Sequence, residues 1–217
     1  MKIGDDEKRK KEVSSHGSHV GNDDAKPLSR TIVQQIKDKF ELLPHPEGGF
    51  YKETYRSSET IQCLYGERVC GTAIYFLITP GSVSRFHRIR ADETWHFYLG
   101  GPMTVVELCP PSAGDDNSNS NSSNNNSSAD NTGSVIARCT TLGQDVLRGE
   151  LVQYTVRAGT WFGSFPNEGT DYSFVGCTVS PGFEFRDFEL GSRAKLLREF
   201  PNIKNRALIS KLTEGLP

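Results

Sequence analysis

No stretch of this sequence is apolar for long enough to cross a bilayer. The longest unbroken run, Ala73 to Ile78, is far short of the about 20 residues a spanning helix needs. The amino terminus, MKIGDDEKRKKEV, lacks the apolar core of a secretory leader. Charge of one sign is missing too. Lys and Arg number 25 against 27 Asp and Glu, a net charge of −2 with neutral histidines. There is no basic stripe, so nucleic acid is not an expected partner. The five cysteines, at 63, 70, 109, 139 and 177, form an odd set. They contain no C-x-x-C pair and no zinc-like spacing, which argues against a disulfide frame or a zinc ribbon and for a reducing compartment. The basic tract at 8–11 reads mainly as a solvated tail and secondarily as a localisation signal. A cytoplasmic or nuclear setting and no membrane association are therefore expected.

What is present changes texture along the chain. Residues 1–27 are polar, charged and rich in Ser and Gly, a composition that predicts a disordered tail. From Ser29, the residues Ile32, Val33, Ile36, Phe40 and Leu43 recur at helical spacing, and Pro44 stops the pattern. Short apolar runs separated by Gly, Pro and Asn follow. They predict strands at Phe50–Arg56, Thr72–Thr79, Val83–Arg90, Thr94–Leu99, Met103–Leu108, Val135–Thr141, Leu151–Val156, Thr160–Phe165, Tyr172–Val179 and Phe183–Phe188. No helical pattern interrupts them, so the fold class is all-β, an antiparallel sandwich or barrel. Helix returns near 192–213, with Ser192 as a cap. Residues 112–134 are mostly Ser and Asn and predict a disordered insertion between two strands. The length favours a single domain, residues 28–217.

The stretch GSVSRFHRIRADETWHFYLG, residues 81–100, carries the most functional information. His87 follows Gly81 after five residues, Glu93 follows His87, and Gly100 lies seven beyond Glu93. This resembles the first cupin motif, G-x5-H-x-H-x3-E-x6-G, with Ile89 in place of the second His. The segments 44–57, 71–78, 84–102, 157–164 and 175–201 are similar to the cupin type-5 family, a domain of unknown function carrying the label of predicted sugar epimerase. The resemblance spans roughly residues 30–201 outside the insertion. It implies a double-stranded β-helix, or jelly roll, with flanking helices, and a homodimer. The second cupin motif survives in outline, with Gly159, Pro166 and Gly169 near their places and Tyr172 where a His is expected.

Three readings of the site follow. In the first, a sugar or nucleotide-sugar epimerase or isomerase uses His87 as base and Tyr172 as acid, with Glu93 orienting His87. Arg85 shares a strand face with His87 and suits an anionic group, while Trp95 and Trp161 offer stacking walls. Glu47 and Arg56, in a segment outside the barrel pattern, are candidates to close over the pocket. The second reading is a non-catalytic module that binds a small ligand. The third is a metal-dependent enzyme, with a divalent metal on His87 and Glu93. Two donors where the motif has four make for a weakly held metal or none, and His96 alternates to the opposite strand face. Cys177 lies in an apolar run and reads as a buried small hydrophobe.

Overall fold

The computed structural model describes residues 31–109 and 136–213. The tail expected at 1–27 and the insertion expected at 112–134 lie outside them. Helix α1 is Ile32–Phe40, and strands β1 to β4 are Leu43–Pro44, Phe50–Arg56, Thr60–Cys63 and Gly66–Val69. Strands β5 to β9 are Thr72–Ile78, Ser84–Arg88, Asp92–Gly100, Met103–Cys109 and Ile136–Leu142. Strands β10 to β13 are Gln153–Val156, Trp161–Pro166, Ser173–Ser180 and Glu189–Leu190, and helices α2 and α3 are Arg193–Glu199 and Arg206–Lys211. The helix expected from Ser29 starts instead at the Thr31 cap, whose side chain accepts from the Gln34 amide, and ends at Glu41 in the left-handed conformation.

Two antiparallel sheets form a jelly roll. One has the order β1-β2-β5-β12-β7-β10 and the other β13-β6-β11-β8-β9. Their facing sides share one core, because Phe76, Trp95, Phe97, Val175 and Cys177 of the first sheet pack with Met103, Val105 and Phe162 of the second. Strand alternation decides which residues reach it. On β7, Glu93, Trp95 and Phe97 are buried while Asp92, Thr94 and His96 are less so.

Both sheets are also covered on their outer sides, which explains strands that are apolar on two faces. The helices α2 and α3 bring Leu196 and Ile209 onto Val83, Phe86, Val106, Leu108 and Trp161. On the other side, Ile36 of α1 packs with Leu77 and Phe174, and Phe40, Tyr75 and Tyr172 join that cluster.

Two departures from the expected strand set matter for the site. The hairpin β3–β4 is exposed at half its positions and buried at Arg68 alone, and so lacks the apolar alternation that marks a strand. The segment 183–188 is not a strand. It carries a 3-10 turn at Phe185–Asp187, held because Arg68 of β4 donates Nε and Nη2 to the two Asp187 carboxylate oxygens at 2.6 and 2.7 Å.

Candidate acid–base site

A sharp turn carries Glu47 inward. His45 N–H donates to the Gly49 carbonyl at 3.1 Å, and Gly48 N–H donates to the His45 carbonyl at 3.0 Å. Gly48 has φ +113°, and a Cβ there would lie 2.1 Å from the Val83 carbonyl oxygen. Only glycine permits that approach. The turn is stitched to β6, since Arg85 N–H donates to the Glu47 carbonyl at 2.9 Å. The Glu47 carboxyl then lies between β6 and the chain entering β2, where Ser84 Oγ donates to its Oε1 at 2.8 Å.

The other carboxylate oxygen meets two imidazoles. Glu47 Oε2 is 3.3 Å from His87 Nε2 and 3.4 Å from His45 Nδ1. The tautomers follow from the remaining bonds. His87 Nδ1 lies 2.7 Å from the Arg85 carbonyl, which only accepts, so Nδ1 carries the proton and Nε2 the lone pair of a neutral ring. His45 Nδ1 accepts from the Glu47 backbone N–H at 3.3 Å, so it also presents a lone pair. Two lone pairs face one oxygen, and the arrangement is satisfied when that oxygen bears a proton. Burial acts in the same direction. It pushes the Glu47 carboxyl up and both imidazoles down from their ordinary values. Burial thus favours the uncharged form of all three groups, in the same sense as the two lone pairs.

Glu93 is the second buried carboxyl, 8% exposed. Burial pushes it up to about 7, with His87 pulling it down and Glu47 pushing it up. Its other neighbour is the Cys177 thiol, itself pushed well up by burial. Two carboxyls and two imidazoles thus share one small volume, with the Glu93 carboxyl raised to about 7.

That volume is a cavity of about 290 Å³. Its polar floor is His45, Glu47, His87, Glu93 and Cys177, and its apolar wall includes Ile74, Phe76, Ile89 and Val179. The rim consists of Glu53, Arg56, Phe183, Glu184, Phe185 and Phe188. The His87 ring is clamped by Phe162, centroids 4.1 Å apart, and by Phe188 at 5.2 Å.

The sequence-expected residues divide accordingly. His87, Glu93, Glu47 and Arg56 all line the cavity. Tyr172 does not. It packs on the outer side of the first sheet with the Phe174 cluster, because odd-numbered residues of β12, such as Val175 and Cys177, take the inner face. No His87–Tyr172 pair across the cavity is formed. The tyrosine at the cavity is Tyr51, edge-on to His45 with centroids 4.5 Å apart. Trp161 also faces outward, into the helical cluster, and its Nε1 donates to Glu199 at 2.7 Å. Trp95 is inside, but as core between Phe76 and Phe162 rather than as cavity wall. Arg85 turns away from the cavity, since its Nε and Nη2 donate to the carbonyls of Glu47 and Pro46. His96 lies on the opposite face from Glu93, against Thr178 at 3.0 Å. His45 and Cys177 are site residues that sequence reasoning missed. The one signal for His45 is its position two before Glu47 in an H-x-E-G-G turn.

Among the described residues no three His, Cys, Asp or Glu side chains form a group that would hold a metal ion.

Comparison with known proteins places these observations. Residues 34–191 match the family described as Cupin superfamily (DUF985). A hypothetical protein from Leishmania major is 36% identical in sequence, with a TM-score of 0.67 over 83% of this chain and 97% of the other. A protein from Shewanella oneidensis is 35% identical, with a TM-score of 0.66 over 83% of this chain and 96% of the other. An uncharacterized protein of Saccharomyces cerevisiae is 29% identical over 176 residues, 74% of this chain and 76% of the relative. No helix among the described residues is long and apolar enough to cross a membrane.

Proposed function

The chain belongs to the cupin superfamily, in the DUF985 family, and from that premise we propose that it is an acid–base enzyme of the isomerase type, acting on a small organic molecule held in the barrel cavity. One observation carries this reading: His87 Nε2 and Glu47 Oε2 lie 3.3 Å apart in a buried cavity with Glu93, whose carboxyl is raised to about 7. Isomerisation next to a carbonyl needs a group that takes a proton from carbon and a group that gives one to oxygen. Glu93 is ionised enough at neutral pH to take the proton. The Glu47–His87 pair gives one to the carbonyl oxygen, leaving an enediol, and the return of both protons completes the exchange. A pair of titratable groups drawn toward neutrality by their surroundings is the pattern such chemistry requires.

The epimerase label attached to the resembling family fits this chemistry better than it fits a nucleotide-sugar substrate. A cavity of about 290 Å³ is at or below the small end of ligand sites, about 300–1,000 Å³. Arg56 is the one Lys or Arg among the described lining residues, and two carboxylates already engage it. The substrate of this reading is therefore a free small molecule, with no diphosphate. A homodimer is the assembly the resemblance implies, and light scattering on the purified protein tests it.

The activity can be tested while the substrate is still unidentified. Pools of small sugars and other small carbonyl compounds are incubated with the protein in D2O and followed by mass spectrometry. One compound is expected to gain a single carbon-bound deuterium, and the Glu47→Gln protein should slow that gain by about 10²–10⁴-fold. Deuterium gain in no pool, or equal gain with Glu47→Gln, contradicts the proposal. Retention of a bound small molecule without exchange would favour a non-catalytic binding module.

A further inference from the structure

The rim of the cavity has a chemistry that the floor does not use. Phe183, Phe185 and Phe188 stand mutually edge-on. Centroids of the Phe183–Phe185, Phe183–Phe188 and Phe185–Phe188 pairs are 5.1, 6.3 and 6.4 Å apart, with ring planes at 80°, 71° and 71°. His45 lies flat against Phe185 at 6.2 Å. Phe188 stacks on His87 with its centroid 5.2 Å away, whereas Phe185 leaves 52% of its surface open, so the cluster presents ring surface at the cavity mouth. Beside it, Arg56 donates to Glu53 at 3.0 and 2.8 Å and to Glu184 at 3.2 Å. Two carboxylates thus share one guanidinium, and Arg56 also holds the Phe183 carbonyl at 3.2 Å. Among the lining residues the rim sets two carboxylates and one guanidinium against aromatic rings, with Arg68, bound to Asp187, also acting on Glu184.

From this juxtaposition we propose that the rim recognises an organic cation, and that the ligand of the cavity is a small amine whose ammonium group sits in the Phe183–Phe185–Phe188 box beside Glu53 and Glu184. Aromatic faces attract a cation within about 6 Å of the ring centre through their quadrupole. The surplus carboxylate adds a charge-assisted hydrogen bond. An anionic group finds the reverse, since Arg56 is already shared and the ring faces repel it. The remainder of the molecule extends inward past Phe76 and Ile89 toward Glu93 and His87. The proposal deepens the acid–base reading of the same cavity and rests on it for the inner half of the ligand only.

The experiment compares three probes of one shape and three charges: n-butylamine, 1-butanol and butyrate. Each is titrated into the intact protein at pH 7.5, with the aromatic ring resonances followed by NMR. Butylamine is expected to bind about tenfold tighter than butanol, with butyrate weakest. Glu184→Gln, a change at the half-buried rim, should reduce the amine affinity about fivefold and leave butanol unchanged. Phe185→Leu, which keeps an apolar side chain without a ring face, should weaken the amine in the same sense. A butanol or butyrate affinity equal to that of butylamine overturns the proposal, as does binding of none of the three. An amine preference that survives both substitutions unchanged also overturns it. The deuterium test fails independently of this one. An amine preference without exchange leaves the cation site standing and removes the catalytic reading, whereas exchange on a neutral or acidic compound does the opposite.

Discussion

His87 Nε2 lies 3.3 Å from Glu47 Oε2, while the other nitrogen of the same ring is fixed 2.7 Å from the Arg85 carbonyl. The carbonyl settles which nitrogen holds the proton, and so which nitrogen has a lone pair to offer. Glu47 comes from a turn before β2 and His87 from β6, so the pair exists only in the folded chain. Removing the proton-carrying oxygen should separate binding from chemistry. Glu47→Gln is nearly isosteric, and ligand affinity should change little while turnover falls by about 10²–10⁴-fold. Parallel binding and rate measurements on the one variant check this.

Glu93 should leave a signature in the pH dependence of stability. Its carboxyl is raised from 4.5 to about 7 by burial, so between those values the folded chain holds more protons than the unfolded one. Stability then falls as pH rises through that window, by on the order of 3 kcal/mol for this group alone. His45 and His87, both lowered by burial, act oppositely, with stability lost as pH falls through the ordinary imidazole value. Glu93→Gln removes the first effect and keeps the second. Relative to wild type, that variant should gain stability steadily from pH 4.5 to 7 in denaturant melts. A constant difference across the window would refute the shift.

Gly48 positions Glu47 and should tolerate no side chain. Gly48→Ala places a Cβ against the Val83 carbonyl at a positive φ, a cost of more than about 2 kcal/mol. Its melting temperature should drop, and any protein that still folds should show a displaced Glu47 as lost turnover. The same substitution at Gly149, also at positive φ but with nothing within 4 Å of a Cβ, should cost less.

Tyr172→Phe separates the cavity from the place where motif counting puts an acid. Tyr172 packs among Ile36, Leu77 and Phe174, so losing its hydroxyl should leave binding and exchange unchanged. Tyr51→Phe, at the cavity edge beside His45, should alter them. Abolished turnover in Tyr172→Phe alone would move the site elsewhere.

The insertion is testable through the strands that flank it. Cys109 of β8 pairs directly with Ile136 of β9, so the β8–β9 ladder runs to the last described residue on each side. Replacing residues 112–134 by a short turn should change stability by no more than about 0.5 kcal/mol. A loss of several kcal/mol in a chemical melt would show that the tract packs on the domain.

Much of the fold was legible because half-buried strands print their period into the sequence. On β7, Glu93, Trp95 and Phe97 alternate with Thr94 and His96, and the G-x5-H and E-x6-G spacings located the two strands that bear His87 and Glu93. What escaped was decided by partners distant in sequence. Phe183, Phe185 and Phe188 read as a strand because apolar and charged residues alternate there, but Arg68 captures Asp187 from a hairpin 119 residues earlier and bends the segment into a turn. Tyr172 fell in the right motif position and on the wrong face, since the inner face of β12 belongs to Val175 and Cys177. His45 was invisible because its role depends on the fold of the Gly48–Gly49 turn, which no periodicity encodes.

The central claim is that neutral His87 presents a lone pair at Nε2 beside a protonated Glu47. The ¹⁵N spectrum of protein labelled at its histidine rings, with His87 assigned by comparison with His87→Asn, measures this directly. At pH 7 to 8 the account predicts a His87 ring with a protonated Nδ1 and an unprotonated Nε2, and no imidazolium signal. A proton found on Nε2 with Nδ1 bare, or a doubly protonated ring at that pH, would contradict it.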